Sequence, residues 1–139
     1  MQVTTKSFDL STKGFTDIVD ITPDVKSLLK ETGLLEGNAT VFVAGSTAGI
    51  TTIEYEPGLL KDIPEAFEKI APFGPTYHHD ATWGDGNGSA HVRAAILGAS
   101  FTVPFQGGKL ILGTWQQIVL IDFDNRARHR TVVVQFIGQ

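Results

Sequence analysis

The sequence predicts an α+β domain, a mostly antiparallel mixed β-sheet or sandwich covered by about three helices, with residues 1–139 forming one unit. Two observations carry this. Short stretches rich in Val, Ile, Thr and Phe recur from one end of the chain to the other, and three segments with apolar residues at helical spacing interrupt them. Val3 to Leu10 and Phe15 to Ile21 read as two opening strands. Thr22-Pro23-Asp24 then supplies an N-cap hydroxyl, a proline suited to the first turn and an acid for the helix dipole. Val25, Leu28 and Leu29 continue at helical spacing, and Gly33 ends the helix. Thr40 to Ala44 and Gly49 to Tyr55 read as strands around a Gly45-Ser46-Thr47 interruption.

From Pro57, the stripe Leu60, Ile63, Phe67 and Ile70 predicts a second helix that stops at Pro72, with Pro64 expected to kink or split it. Phe73 to Asn87 is rich in Gly, Pro, His and Asp and reads as a long loop, the kind of connection that often carries function. A short helix is expected over Ser89 to Leu97, closed by Gly98. Strands follow at Phe101 to Phe105, Leu110 to Leu112, Gln117 to Phe123 and Thr131 to Ile137. Turns fall at Gln106-Gly107-Gly108 and Asp124-Asn125-Arg126.

A chain of 139 residues is long enough for one hydrophobic core. The net charge of −4 argues against general attraction to nucleic acid or anionic lipid. With no cysteine, disulfides, thiolate nucleophiles and Cys-ligated zinc are excluded, so any metal is held by His, Asp, Glu, Asn or water. No apolar run approaches the roughly 20 residues a bilayer requires. The first residues lack a basic, then apolar, leader pattern, so the expected location is the cytoplasm.

Three of the four histidines, His78, His79 and His91, flank the segment Asp80 to Ser89. Neutral imidazole is a good ligand for zinc-like ions, and Asp80 or Asp85 would add a carboxylate or orient a ring. The spacing matches no standard metal motif, and the same residues also fit histidines that only cap or hydrogen-bond. Gly84-Asp85-Gly86-Asn87-Gly88-Ser89 leads into a helix and would expose backbone N–H groups to a phosphate, or simply provide an Asn87 or Ser89 cap. His91 shares a helix face with Ala94, Ala95 and Gly98, a narrow face that permits close approach.

Gly113-Thr114-Trp115-Gln116 interrupts two apolar runs. It is either a bulge with Trp115 in the core, or a pocket wall in which Gln116 hydrogen-bonds a ligand. Arg126, Arg128, His129 and Arg130 read as a basic hairpin end, more often solvated than functional; brought near the histidine loop by another subunit, it would bind anions well. Glu54 is a tempting base, but an extended strand would separate it from Ser46 by about 26 Å, so both cannot serve one site along a straight strand. Of the two, Ser46 in its turn is favoured, although it lacks a nucleophile-elbow pattern.

Tyr77-His78-His79-Asp80, then Gly84 to His91, then Ala95-Ile96-Leu97-Gly98, together resemble the signature of the YjbQ-like family. Glu56 to Leu60, Gly113 to Gln116 and Arg128 to Val134 resemble its other motifs, so the likeness runs along nearly the whole chain. It implies an α+β fold, a homotrimer with pockets near subunit contacts, and the activity label secondary thiamine-phosphate synthase. Carried over by position, the polar residues are His79, Asp85, Asn87, His91, Trp115 and Gln116. Where the family has a histidine in a His-Thr-Thr-Ala-like motif, this chain has Ser46-Thr47-Ala48, leaving His79 and His91 of a three-histidine metal set, with His78 or water as a substitute.

Under this resemblance, the expected reaction joins a pyrimidine pyrophosphate to a thiazole phosphate. His79, His91 and Asp85 would be catalytic, and His79 and His91 would hold a divalent metal such as zinc or magnesium. Asn87, Gly88, Ser89, Ser46, Trp115 and Gln116 would bind the phosphorylated small molecule. A phosphometabolite-binding trimer without turnover and a metal-dependent hydrolase are the alternatives. Neither nucleic acid nor membrane is an expected partner.

Overall fold

The computed structural model describes residues 1–139 as twelve elements. They are β1 (Gln2–Thr12), β2 (Asp17–Asp20), α1 (Thr22–Thr32), β3 (Glu36–Val43), β4 (Ala48–Ile53), α2 (Leu59–Ile70), α3 (His78–Trp83), α4 (Gly88–Leu97), β5 (Ser100–Gln106), β6 (Lys109–Leu110), β7 (Gln117–Asp122) and β8 (Arg128–Gly138). Every strand pairing is antiparallel, so the sheet is not mixed. A five-stranded sheet runs β1-β8-β3-β5-β6 and a three-stranded sheet runs β2-β7-β4.

The layers follow from side-chain alternation. On β8, Arg130, Val132, Val134 and Phe136 point inward while the intervening residues face outward. Of these, Val132, Val134 and Phe136 pack with Val41 and Val43 of β3, Ile118 and Leu120 of β7, and Val25 and Leu29 of α1, forming the main core between the sheets. The odd positions of β7, Val119 and Ile121, face the other way. They form a second core with Ala90 and Ala94 of α4, against which Ile63 and Phe67 of α2 pack. β7 is therefore buried on both faces, which explains its unbroken Ile118-Val119-Leu120-Ile121 run.

Four expectations change. The segment expected as a loop folds into α3 over His78–Trp83, giving four helices rather than three. The Asp80 carboxylate accepts the Tyr77 N–H at 3.0 Å, closing that helix's first turn locally. The second strand starts at Asp17 because Gly14, Phe15 and Thr16 all have left-handed φ. A Cβ on Gly14 would collide with the Asp124 and Arg126 carbonyls, so that turn passes directly against the β7–β8 connection. Thr22 is not the cap of α1. Its N–H donates to Asp20 Oδ1 at 3.0 Å, and its hydroxyl accepts the Ile118 N–H at 2.8 Å, tying the helix to β7 instead. Pro64 does not split α2, which runs as one element from Leu59 to Ile70.

No helix is long and apolar enough to cross a membrane.

Candidate functional site

Asp80 organises the site. Its Oδ2 holds the Tyr77 N–H, and its Oδ1 accepts the Gly88 N–H at 2.9 Å, so one carboxylate ties α3 to the start of α4. These two backbone bonds hold its pKa below the ordinary aspartate value. The arrangement corrects the phosphate cradle expected from Gly88 and Ser89. Asp80 already takes the Gly88 N–H, and both Gly88 and Ser89 are buried. Asn87 does not cap through its side chain either. Its amide turns away to donate to Asp124 Oδ1 at 3.2 Å.

With α3 and α4 joined, His79 and His91 stack, their ring centroids 4.1 Å apart and tilted by 36°. His79 Nδ1 lies 3.8 Å from Asp80 Oδ1 and 3.7 Å from Asp85 Oδ1. That nitrogen is closed off from solvent and has no hydrogen-bond partner, and Asn87 Oδ1 is a second buried atom without one. Burial lowers the His91 pKa and the neighbouring His79 lowers it further, while Asp124, Asp85 and Asp80 oppose the shift. The net effect favours a neutral imidazole at neutral pH.

One ligand atom each from His79, Asp80 and Asp85 lies within 4.8 Å of the others; His91 is outside that trio. The sequence expectation pairs His79 with His91, whose rings are in contact; the three donor residues that converge in the structure are His79, Asp80 and Asp85. Two donors about 2.1 Å from one tetrahedral ion stand about 3.4 Å apart, so the two separations from His79 to the carboxylates need only a few tenths of an ångström of closure. One imidazole and two carboxylates are donors that could hold a divalent ion, and the unpartnered Nδ1 is the atom such an ion would satisfy.

His91 also lines a cleft of about 450 Å³ with Ser46, Gly45, Ala94, Ala95 and Gly98. The structure thus brings Ser46 to the same cleft as His91, and the small helix face read from sequence forms part of its lining. Trp115 and Gln116 lie elsewhere. In the β4–β7 ladder Ala48 pairs with Asp122 and Ile53 with Gln117, which separates the two ends by about 17 Å of strand. Trp115 is 73% exposed, which removes the buried-bulge alternative, and it lines a different groove with Glu54, Glu56 and Asp20. The Gln116 amide is spent within the fold. It accepts the Gly113 N–H at 3.0 Å and donates to Thr52 Oγ1 at 3.0 Å.

Beneath the His cluster lies a network that the sequence reading missed. Asp122 and Asp124 are fully buried, and Arg130, expected on a solvated hairpin end, is buried with them. Arg130 grips Asp122 with Nε to Oδ2 at 2.7 Å and Nη2 to Oδ1 at 2.9 Å. Arg128 Nε donates to Asp124 Oδ2 at 2.8 Å. Thr12 donates to Asp122, and Thr47 donates to Asp124 while accepting from Arg130 Nη2. Burial pushes the Asp124 carboxyl upward, but hydrogen bonds from the Asn125 N–H, Asn87, Thr47 and Arg128 outweigh it and hold the pKa below the ordinary value. One signal in the sequence was available. Arg130 shares strand parity with Val132, Val134 and Phe136, so it had to point into the core and find a buried acid there.

Fold and site together define a class, a two-sheet α+β domain with a histidine–carboxylate cluster beside a small-residue cleft. The chain belongs to the YjbQ-like UPF0047 family, whose profile, "UPF0047 protein YjbQ-like", matches residues 6–139. It is 39% identical over 124 residues to a UPF0047 protein of Archaeoglobus fulgidus, covering 89% of this chain and 94% of that one. With UPF0047 protein YugU of Bacillus subtilis the identity is 35% over 134 residues, covering 96% and 98%. The crystal structure of a YbjQ-like protein of unknown function from Sulfolobus solfataricus P2 superposes with a TM-score of 0.93 at 33% identity, over 99% of both chains. A hypothetical protein from Aeropyrum pernix K1 superposes at 0.91 with 34% identity, over 98% and 99%. None of these four descriptions names a reaction, so the secondary thiamine-phosphate synthase label rests on the resemblance alone.

Proposed function

We propose that this chain is a metal-dependent hydrolase of a small molecule, with His79, Asp85 and Asp80 holding a divalent ion and His91 moving the proton. The observation that carries this reading is the buried, unpartnered Nδ1 of His79 facing two carboxylates at 3.7 and 3.8 Å. A buried polar atom without a partner costs stability, and an ion there would satisfy it. When bound, such an ion supplies Lewis acidity to a carbonyl or phosphoryl oxygen. The chain's own residues do the rest. Asp80 is fixed by two backbone N–H groups, so His79, next to it on α3, presents its ring from a braced turn. His91, kept neutral by burial, has an imidazole nitrogen free to take a proton from water entering the cleft. The small side chains along α4 leave room for the substrate.

Thiamine-phosphate synthesis is less well supported, because Trp115 and Gln116, which would position an aromatic ring, sit at the far end of β7 in the same chain. The homotrimer implied by the resemblance stands as a proposal, and light scattering of the purified chain tests it. For the hydrolase reading, the experiment is metal analysis of untagged protein prepared without chelator. About one ion per chain in wild type, lost in His79→Ala and in Asp85→Ala, is the expected result. Metal-free wild type that takes up no zinc on titration would sink it.

A further inference from the structure

Arg130 is held more firmly than an ion pair with Asp122 requires, and one edge of it is left over. A guanidinium carries five N–H donors. Three are committed, Nε and one Nη2 hydrogen to Asp122 and the other Nη2 hydrogen to Thr47 Oγ1 at 2.7 Å. The two on Nη1 make no hydrogen bond within the chain, although the side chain is more than nine-tenths buried. Nη1 is not sealed inside the protein. It lies 2.7 Å from the point where a Cβ on Gly45 would stand, so only the missing side chain at residue 45 leaves it room. Gly45 lines the cleft that also holds Ser46 and His91.

Resting on the reading of His91 as the proton-transfer group, we propose that this cleft contains an oxyanion subsite. There, Arg130 Nη1, presented across Gly45, and the Ser46 hydroxyl hold the phosphate or carboxylate group of a small substrate beside His91. The fork to Asp122 fixes the guanidinium plane, so the two remaining donors are aimed before any ligand arrives and little freedom is lost on binding. Asp122 and Asp124 balance Arg130 and Arg128, which means that recognition relies on directed N–H groups more than on net charge.

The test is a titration of the full-length, ¹⁵N-labelled chain with inorganic phosphate and, separately, with acetate, following the Arg130 guanidinium and Ser46 amide resonances. Saturable shifts are expected, larger with phosphate if the substrate is a phosphoryl compound and with acetate if it is a carboxylate. In Ser46→Asp, which places a like charge at an exposed position, binding should weaken at least tenfold. In Gly45→Ala, which closes the window, it should be lost. If Gly45→Ala does not fold, Ser46→Asp decides. Absence of saturable shifts with both anions, or unchanged binding in the folded variants, overturns the subsite. Zinc titration of the same wild-type sample separates the two readings. Anion binding without zinc uptake removes the metal and keeps the subsite; zinc uptake without anion binding does the reverse.

Discussion

Two clusters of polar side chains meet at Asn87 and are built on opposite terms. In the one below, Asp122, Asp124, Arg130, Arg128, Thr12 and Thr47 are buried or half-buried, and both carboxylates accept hydrogen bonds on each oxygen. In the one above, His79 and Asn87 each keep a buried atom with no partner, and His91 borders an open cleft. Carboxylates satisfied in this way specify packing, with only the Nη1 edge of Arg130 left over, whereas unpartnered buried atoms beside a cleft are suited to a ligand. The Asn87 amide joins them, with its NH₂ turned down to Asp124 and its oxygen left over.

The largest effect expected from breaking this contrast is in the lower cluster. Arg130→Met leaves Asp122 buried without its cation and should cost about 3–5 kcal/mol in urea denaturation. A loss under 1 kcal/mol would mean that the network is not the structural anchor described. Thr47→Val removes both a donor to Asp124 and an acceptor for Arg130, and about 1–3 kcal/mol is expected by the same measurement.

Acid sharpens the comparison further. Asp124 has a native pKa below its unfolded value, so its stabilising contribution is fully present above the unfolded value of about 4. It is lost as pH falls from there through the lower native value. The stability difference between wild type and Asp124→Asn should therefore shrink as pH drops below about 4; a difference constant with pH would show that the carboxylate is not the stabilising form.

The upper cluster should respond in the opposite sense. His79→Ala has no hydrogen bond at Nδ1 to lose, and its unfolding free energy should change by less than about 1 kcal/mol while zinc uptake disappears. A large destabilisation with metal uptake intact would reverse the roles assigned to the two clusters. The smallest effect belongs to Trp115→Ala. At 73% exposure and far along β7 from the histidines, its stability should move by no more than about 0.5 kcal/mol and its zinc uptake not at all.

Much of the fold was legible because local signals and burial agreed. The double-sided apolar run of β7, the Gly33 end of α1 and the Ala94, Ala95 and Gly98 face of α4 all stand where their patterns put them. The helix α3 was not legible, since His78-His79-Asp80-Ala81-Thr82-Trp83 is too short to show a period, and its start is secured by the Asp80 carboxylate. In the site, the histidine cluster could be read from sequence proximity. The convergence of Asp80 and Asp85 on His79 Nδ1, and the stacking of His79 on His91, could not, because spacing gives no ring orientation.

By itself, then, the sequence determined the α+β class, the order of most elements, the absence of cysteine chemistry and the segment where histidines and carboxylates collect. Those follow from residue type and short-range period. Tertiary structure alone decided that Arg130 lies under the cleft, that Ser46 joins His91 and that Trp115 and Gln116 do not. The physical reason is register. Antiparallel pairing sends Ala48 to Asp122 and Ile53 to Gln117, so residues on one strand are distributed to opposite ends of the sheet, and only the ladder says which end each one shares with the helices.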